Sequence, residues 1–238
     1  MMPSIDLSSI HPSWQPLIEQ GLRLMNPSYL SELNQSTANW LPGPQSLLNA
    51  FSIPLDSVRY ILLGESPYPR PQSANGYAFW DAAVTDLWST SGLSKPVNRA
   101  TSLRNFIKML LVADQQLDQD TGQSAIAGVD KIAYAKTLSD LFGNMIHHGF
   151  LLLNASLVLS SRPKQYDAKQ WAPFIEFILH EISKHHPGVC IFVFGNFAQK
   201  ISMPADATIV CAEHPYNISF VHNATVIENF APLNLLRN

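Results

Sequence analysis

Four short apolar runs punctuate the chain, and each ends in a glycine or gives way to a polar residue within a step or two. Residues 58–63 read Val-Arg-Tyr-Ile-Leu-Leu before Gly64, residues 149–155 read Gly-Phe-Leu-Leu-Leu-Asn-Ala, residues 188–195 read Gly-Val-Cys-Ile-Phe-Val-Phe-Gly, and residues 208–212 read Thr-Ile-Val-Cys-Ala. Runs this short, apolar on both alternations, predict strands buried on both faces. Between them, apolar positions recur at helical spacing over 101–111, 135–147, 171–185, 196–201 and 223–236, with Thr101 or Ser102 available as N-cap of the first. Residues 10–50 predict two or three short helices broken at Asn26-Pro27-Ser28 and Leu41-Pro42-Gly43-Pro44, and residues 115–130 predict a polar, glycine-containing loop. The stretch from the turn after Gly64 to Pro96 predicts no regular element. Strands alternating with helices predict an α/β fold, a three-layer α/β/α arrangement around a mainly parallel, four-stranded sheet. Residues 1–238 are expected to form one domain, with residues 1–50 a helical segment packed on it.

Composition narrows the function. With 46% hydrophobic residues spread over 238 positions, no apolar run approaches the roughly 20 residues a membrane-crossing helix needs, so a soluble, cytoplasmic protein is expected. The start, Met1-Met2-Pro3-Ser4-Ile5-Asp6, carries no basic region followed by an apolar run, so no secretory signal is expected either. The two cysteines, Cys190 and Cys211, fall in strand-like runs and predict buried core thiols, too few to hold an iron-sulfur cluster or a structural zinc. Adjacent histidines, His147-His148 and His185-His186, point about 100° apart on a helix and predict helix ends rather than a metal site. No metal and no cofactor are expected. A formal charge of -3 and dispersed basic residues (Arg99, Arg104, Lys108, Arg162, Lys164, Lys169, Lys200) mean that binding to any polyanion is local.

Candidate chemistry lies at the ends of the strands. The first opens into Gly64-Glu65-Ser66-Pro67-Tyr68-Pro69, where two prolines stiffen a turn that carries a carboxylate, a hydroxyl and an aromatic ring. The second ends in Asn154, and the fourth leads into Glu213-His214-Pro215. The carboxyl ends of neighbouring parallel strands face one crevice, so these groups can converge although far apart in sequence. Taken singly, Asn154 reads as a helix cap and His214 as a turn histidine.

Taken together they resemble a known family. Gly64-Glu65-Ser66-Pro67-Tyr68-Pro69, followed by Ala74-Asn75-Gly76-Tyr77-Ala78-Phe79, is similar to the GQDPYH loop and AHGLxF segment of family 1 uracil-DNA glycosylases. Leu151-Leu152-Leu153-Asn154 matches their LLLN strand, and Phe194-Gly195-Asn196-Phe197-Ala198-Gln199-Lys200 resembles their WGxxAQK segment. His214-Pro215-Tyr216-Asn217-Ile218-Ser219 resembles their HPSPLS loop, and Ser102-Leu103-Arg104-Asn105 the SLxN start of a helix. The resemblance implies a cofactor-free, monomeric enzyme that flips uracil out of single- or double-stranded DNA and hydrolyses its glycosidic bond.

It also implies roles for individual residues. Phe79 stacks on the base, the Asn154 amide reads uracil N3–H and O4, and Tyr68 fills the space of a thymine methyl. His214 stabilises charge on uracil O2. Ile218 is the wedge that enters the duplex, with Ser102, Asn217 and Ser219 along the DNA backbone. At the catalytic position the chain departs from the family: Ser66 stands where the family has Asp, and Glu65 where it has Gln. A carboxylate there stabilises the developing sugar cation or orients water, so reduced activity is expected unless Glu65 compensates. With Tyr216 and Asn217 replacing a compact serine-proline pair and a charge of -3, modest, salt-sensitive DNA binding is expected. A catalytically impaired module that binds uracil, DNA or a protein, and a glycosylase for a different base, stand as alternatives.

Overall fold

The computed structural model describes residues 5–35, 39–197 and 201–237. Along them the chain forms α1 (Gln15–Arg23), α2 (Pro27–Gln35), β1 (Trp40–Leu41), β2 (Tyr60–Gly64), β3 (Trp88–Ser89), β4 (Gly92–Leu93), α3 (Lys95–Arg99) and α4 (Thr101–Ala113). There follow α5 (Gln123–Gly128), α6 (Leu138–His147), β5 (Phe150–Asn154), β6 (Leu159–Ser160), α7 (Lys164–His185), β7 (Cys190–Phe194), β8 (Thr208–Ala212) and α8 (Ala224–Phe230).

The apolar runs become the central sheet, in the order β5-β2-β7-β8. β2 runs parallel to both neighbours, in register from Tyr60 opposite Phe150 to Gly64 opposite Asn154, and with Tyr60 opposite Cys190. Ile61, Leu62, Leu63 and every residue of β5 are buried, as strands covered on both faces require. Aromatic stacking locks the start of the register, with the Tyr60 and Phe150 rings 4.7 Å apart and Phe150 and Phe192 5.9 Å apart. β8 differs from expectation. It is an edge strand with only Val210 buried, and Cys211 is exposed rather than a core thiol. Cys190 is half-buried, and burial pushes its thiol up to about 11.

The chain divides into two compact units. The first comprises Met1–Ala82, Gly149–Val193 and Phe197–Ile209; the second comprises Ala83–His148, Phe194–Asn196 and Val210–Asn238. In the first, α1 lies on α7 at Gly21, where a Cβ would come within 2.8 Å of the Phe174 ring. Trp14, Phe51, Phe174 and Trp171 pack edge to face beneath them. The buried Asp167 carboxylate in the first turns of α7 accepts from the Tyr29 hydroxyl (2.8 Å), the Ser160 backbone N–H (2.9 Å) and the Ser160 hydroxyl (2.8 Å), tying α2 and β6 to that helix. In the second, α4 packs against α8 through Phe106 and Phe230, while Phe194 meets Phe220 edge to face. Arg237 pairs with Asp114 at 2.9 Å and fastens the C-terminal residues to the end of α4.

Several boundaries differ from the sequence reading, each for a local reason. α4 begins at Thr101, and its N-cap is Ala100 with no side-chain bond, because α3 leads into it almost directly. α3 carries its own cap, the Ser94 hydroxyl on Val97 N–H. α7 begins at Lys164 rather than 171, immediately after Pro163, and tolerates Pro173 within it. The region before Pro96 contains the β3–β4 hairpin, and the polar stretch 115–130 contains α5. α8 ends at Phe230, just ahead of Pro232. The histidine pairs do end helices: His147 closes α6 with His148 as its cap, and His185 closes α7 with His186 as its cap. The expected helix over 196–201 has its middle, residues 198–200, outside those described.

Replacing Tyr29 by Phe removes one donor from the buried Asp167 carboxylate and leaves that oxygen unsatisfied. Tyr29→Phe is expected to lower unfolding free energy by about 1–3 kcal/mol, read as a lower urea midpoint at unchanged slope.

Candidate functional site

At the ends of β2 and β5 the Asn154 and Ala78 side chains crowd Gly64 so closely that a Cβ there would collide with both. A Cβ on Gly64 would lie 2.5 Å from Asn154 Oδ1 and 2.9 Å from Ala78 Cβ. Ala78 is brought there by donating its N–H to the Leu152 carbonyl at 3.0 Å, which sets the segment before Phe79 alongside β5. The paired strand ends continue the ladder beyond the sheet, with Ala155 N–H on Gly64 O at 2.8 Å and Ser156 N–H on Glu65 O at 3.0 Å. Asn154 is only 2% exposed, a polar side chain held in the core at the mouth of the turn.

The turn then separates its two polar side chains. Ser66 is half-buried, whereas Glu65 is exposed and its Oε2 lies 3.7 Å from Lys164 Nζ, at the first residue of α7. Exposed pairs of this kind contribute little to stability, but this one draws the carboxylate toward the helix end. Tyr68 donates its hydroxyl to the Phe79 carbonyl at 3.1 Å. Burial, with the Asp81 carboxylate adding to it, raises the Tyr68 hydroxyl well above the ordinary phenol range, so it stays a donor.

That bond matters because Phe79 has a φ of 62°, a left-handed backbone that costs a bulky residue about 1–2 kcal/mol. Tyr68 grips its carbonyl, and two residues later Arg70 pairs at 2.9 Å with the buried Asp81. The conformation of Phe79 is therefore fixed from both sides, and its ring is left half-exposed.

In the second unit, the loop after β8 is built around one buried amide. Asn105, fully buried on α4, donates Nδ2 to the Pro215 carbonyl at 2.8 Å, with the Tyr216 and Asn217 carbonyls at 3.4 Å sharing its second hydrogen. Arg104 turns Nε to Asn105 Oδ1 at 3.4 Å and orients the amide. The Tyr216 N–H donates to His214 Nδ1 at 3.1 Å. An Nδ1 that accepts requires a neutral ring with its proton on Nε2, so Nε2–H is the donor. Gly195, at φ 96°, sits against this histidine, with its missing Cβ 3.3 Å from His214 Cβ. Burial raises the Glu213 carboxyl, but hydrogen bonds from Ser219, its own backbone and Asn223 outweigh it and hold the group below the usual range. The Asn223 bond is 2.7 Å.

Of the residues singled out from sequence, Glu65, Ser66, Tyr68, Phe79 and Asn154 gather in the first unit around Gly64, with only Glu65 turned outward. Ser102, His214, Asn217, Ile218 and Ser219 belong to the second, with Ser102 one turn before Asn105 on α4 and the loop residues Asn217, Ile218 and Ser219 exposed. Ala198-Gln199-Lys200 lies outside the described residues. Sequence reasoning missed the roles of Asn105, Asp81 and Lys164. A polar amide between Leu103 and Phe106 on an otherwise apolar helix face is the signal that could have found Asn105. Among the described residues no group of three metal-binding side chains converges.

Comparison with known proteins gives the family and the fold. Residues 52–235 match the family described as the uracil DNA glycosylase superfamily. A uracil-DNA glycosylase of Amoebophilus asiaticus is 25% identical over 87% of this chain and 84% of its own length. The crystal structure of wild-type UNG from Nitratifractor salsuginis superimposes with a TM-score of 0.90 at 40% identity, covering 97% of this chain and 94% of that one. A mimivirus UNG in complex with UGI, 15% identical with a TM-score of 0.61 over 90% of this chain and 73% of its own, shares the fold.

Asn105→Ala unties the loop without touching its surface. Hydrogen exchange at the amides of Tyr216, Asn217 and Phe220 is expected to accelerate as about 1–3 kcal/mol of local protection is lost, while exchange in β2 and β5 holds.

Proposed function

Since the chain belongs to the uracil DNA glycosylase superfamily, we propose that it hydrolyses the bond between uracil and deoxyribose in DNA, at a rate held down by Ser66. The observation that supports this reading is the crowding of the buried Asn154 amide and Ala78 at Gly64, with the Tyr68 hydroxyl bound to the carbonyl of Phe79, the residue after Ala78.

The roles follow from donor and acceptor chemistry. The Asn154 amide offers one acceptor to uracil N3–H and one donor to O4; cytosine presents the reverse pattern and leaves both sides unpaired. Phe79 covers a face of the base from its pinned backbone. Tyr68, its hydroxyl committed to Phe79, presents a ring edge where thymine carries a methyl. As the C1′–N1 bond breaks, its electron pair leaves on the uracil as an anion spread over N1 and O2, and a neutral His214 donating from Nε2 stabilises that charge. Water forms the new bond to C1′ and gives its proton to solvent.

No carboxylate stands at Ser66 to stabilise the sugar cation. Glu65 is the neighbouring carboxylate, and its pairing with Lys164 argues against its replacing the missing one. Binding of DNA, single- or double-stranded, is modest and salt-sensitive for a monomer of charge -3. Ser219, whose hydroxyl already serves Glu213, adds little to a phosphate contact. Ser66 also favours a second reading, a module that recognises uracil in DNA without excising it.

Incubation with single- and double-stranded oligonucleotides carrying one uracil, followed by cleavage at abasic sites, decides between the two. Slow product formation is expected; binding with no product at high enzyme over long times supports the second reading. Ser66→Asp is expected to raise the excision rate on the order of 10²–10³-fold. Asn154→Ala is expected to lower it by at least about 10²-fold, and an unchanged rate means that another group reads the base.

A further inference from the structure

The loop from His214 to Ser219 holds out two large apolar side chains where one would serve as a wedge. Among the described residues five large hydrophobic side chains are exposed, and two of them, Tyr216 (68% exposed) and Ile218 (64%), fall within three residues of each other. Single exposed hydrophobics need no account. Here, however, the buried Asn105 amide ties the backbone carbonyls of Pro215, Tyr216 and Asn217, so the backbone is held while the Tyr216 and Ile218 side chains stand exposed. They are presented to something.

Charge says what kind of surface they meet. No Lys or Arg occurs from Ile201 to Leu236, and the acidic group just before the loop is the Glu213 carboxylate, held charged by Ser219 and Asn223. The loop carries no cation of its own with which to grip phosphates. What it offers is aromatic and aliphatic area, which suits the space between stacked bases. The Tyr216 backbone contributes separately, since its N–H holds the His214 ring in its tautomer whatever side chain it carries.

We propose that Tyr216 is a second prong beside Ile218: it enters the duplex when uracil is withdrawn, and its ring stacks on a nucleobase that has lost its neighbour. This rests on the glycosylase reading and makes the contribution of Tyr216 specific to duplex DNA, because only a duplex presents a gap that must be held open.

The test compares Tyr216→Ala and Tyr216→Phe with wild type on matched single- and double-stranded uracil oligonucleotides. Tyr216→Ala is expected to lower kcat/KM on the duplex about tenfold more than on the single strand, and Tyr216→Phe to restore the duplex value, because the ring rather than the hydroxyl stacks. An equal loss on both substrates, or a Phe variant as impaired as the Ala variant, overturns the proposal. Affinity is measured in parallel by fluorescence anisotropy on a duplex carrying 2′-fluoro-deoxyuridine, whose sugar resists cation formation. Tyr216→Ala is expected to weaken it about tenfold, and unchanged affinity overturns the proposal even if no turnover is seen. Wild type that binds this duplex through Tyr216 yet releases no uracil from either oligonucleotide overturns the glycosylase reading alone.

Discussion

The crowding of the Asn154 amide and the Ala78 methyl at Gly64 is the constraint on which the groups gathered in the first unit depend. Parallel pairing carries the two strands in step from Tyr60 and Phe150 to that point, and a one-residue slip would turn Asn154 to the opposite face. Because Gly64 has no side chain, the amide of Asn154 and the methyl of Ala78 occupy the space beside it. Ala78 in turn places Phe79, whose unfavourable backbone is held by Tyr68 on one side and by the Arg70–Asp81 pair beyond it. Buried polar groups and a strained residue cost stability, and they persist here because the fully packed strands behind them offer no other arrangement.

The second unit uses a different device for the same purpose. An amide on α4, far away in sequence, holds the backbone of a loop that has no regular hydrogen-bond ladder. The loop can then expose apolar residues without collapsing and orient a histidine through a backbone N–H donated to its Nδ1. A neutral histidine stabilises a developing anion without first competing for a proton, and it does not repel the cationic sugar. With few positive charges anywhere, shape and hydrogen bonding carry the recognition proposed for this chain.

Ser66 and Glu65 show how strictly position governs chemistry. A carboxylate is present in the turn, but one residue from where the family carries it. In the turn after β2 the two side chains part, Ser66 half-buried and Glu65 reaching into solvent toward Lys164. The same composition shifted by a single place is therefore a different site, which is why the rate proposed for this chain is low.

Much of this was legible in the sequence because it rests on local pattern. Short, mostly apolar runs bounded by glycine or polar residues read as strands, so the four strands of the sheet and its α/β class followed directly, and motifs at strand ends pointed to residues that could act together. What failed were features decided by neighbours. The run Thr208–Ala212 looks like a core strand, but it lies at the edge of the sheet and leaves Cys211 exposed. The hairpin of Trp88–Ser89 with Gly92–Leu93 and the short helix Gln123–Gly128 are too brief to carry a period. The partner of Asn105 was invisible even though its place on an apolar helix face marks it, since a hydrogen bond spanning 110 residues leaves no trace in local spacing. Sequence by itself determined which segments must be buried and which chemical groups were on hand. Only the tertiary structure decided which of those groups meet, because hydrogen bonds and close approaches depend on where the chain returns in space, and burial alone does not specify that.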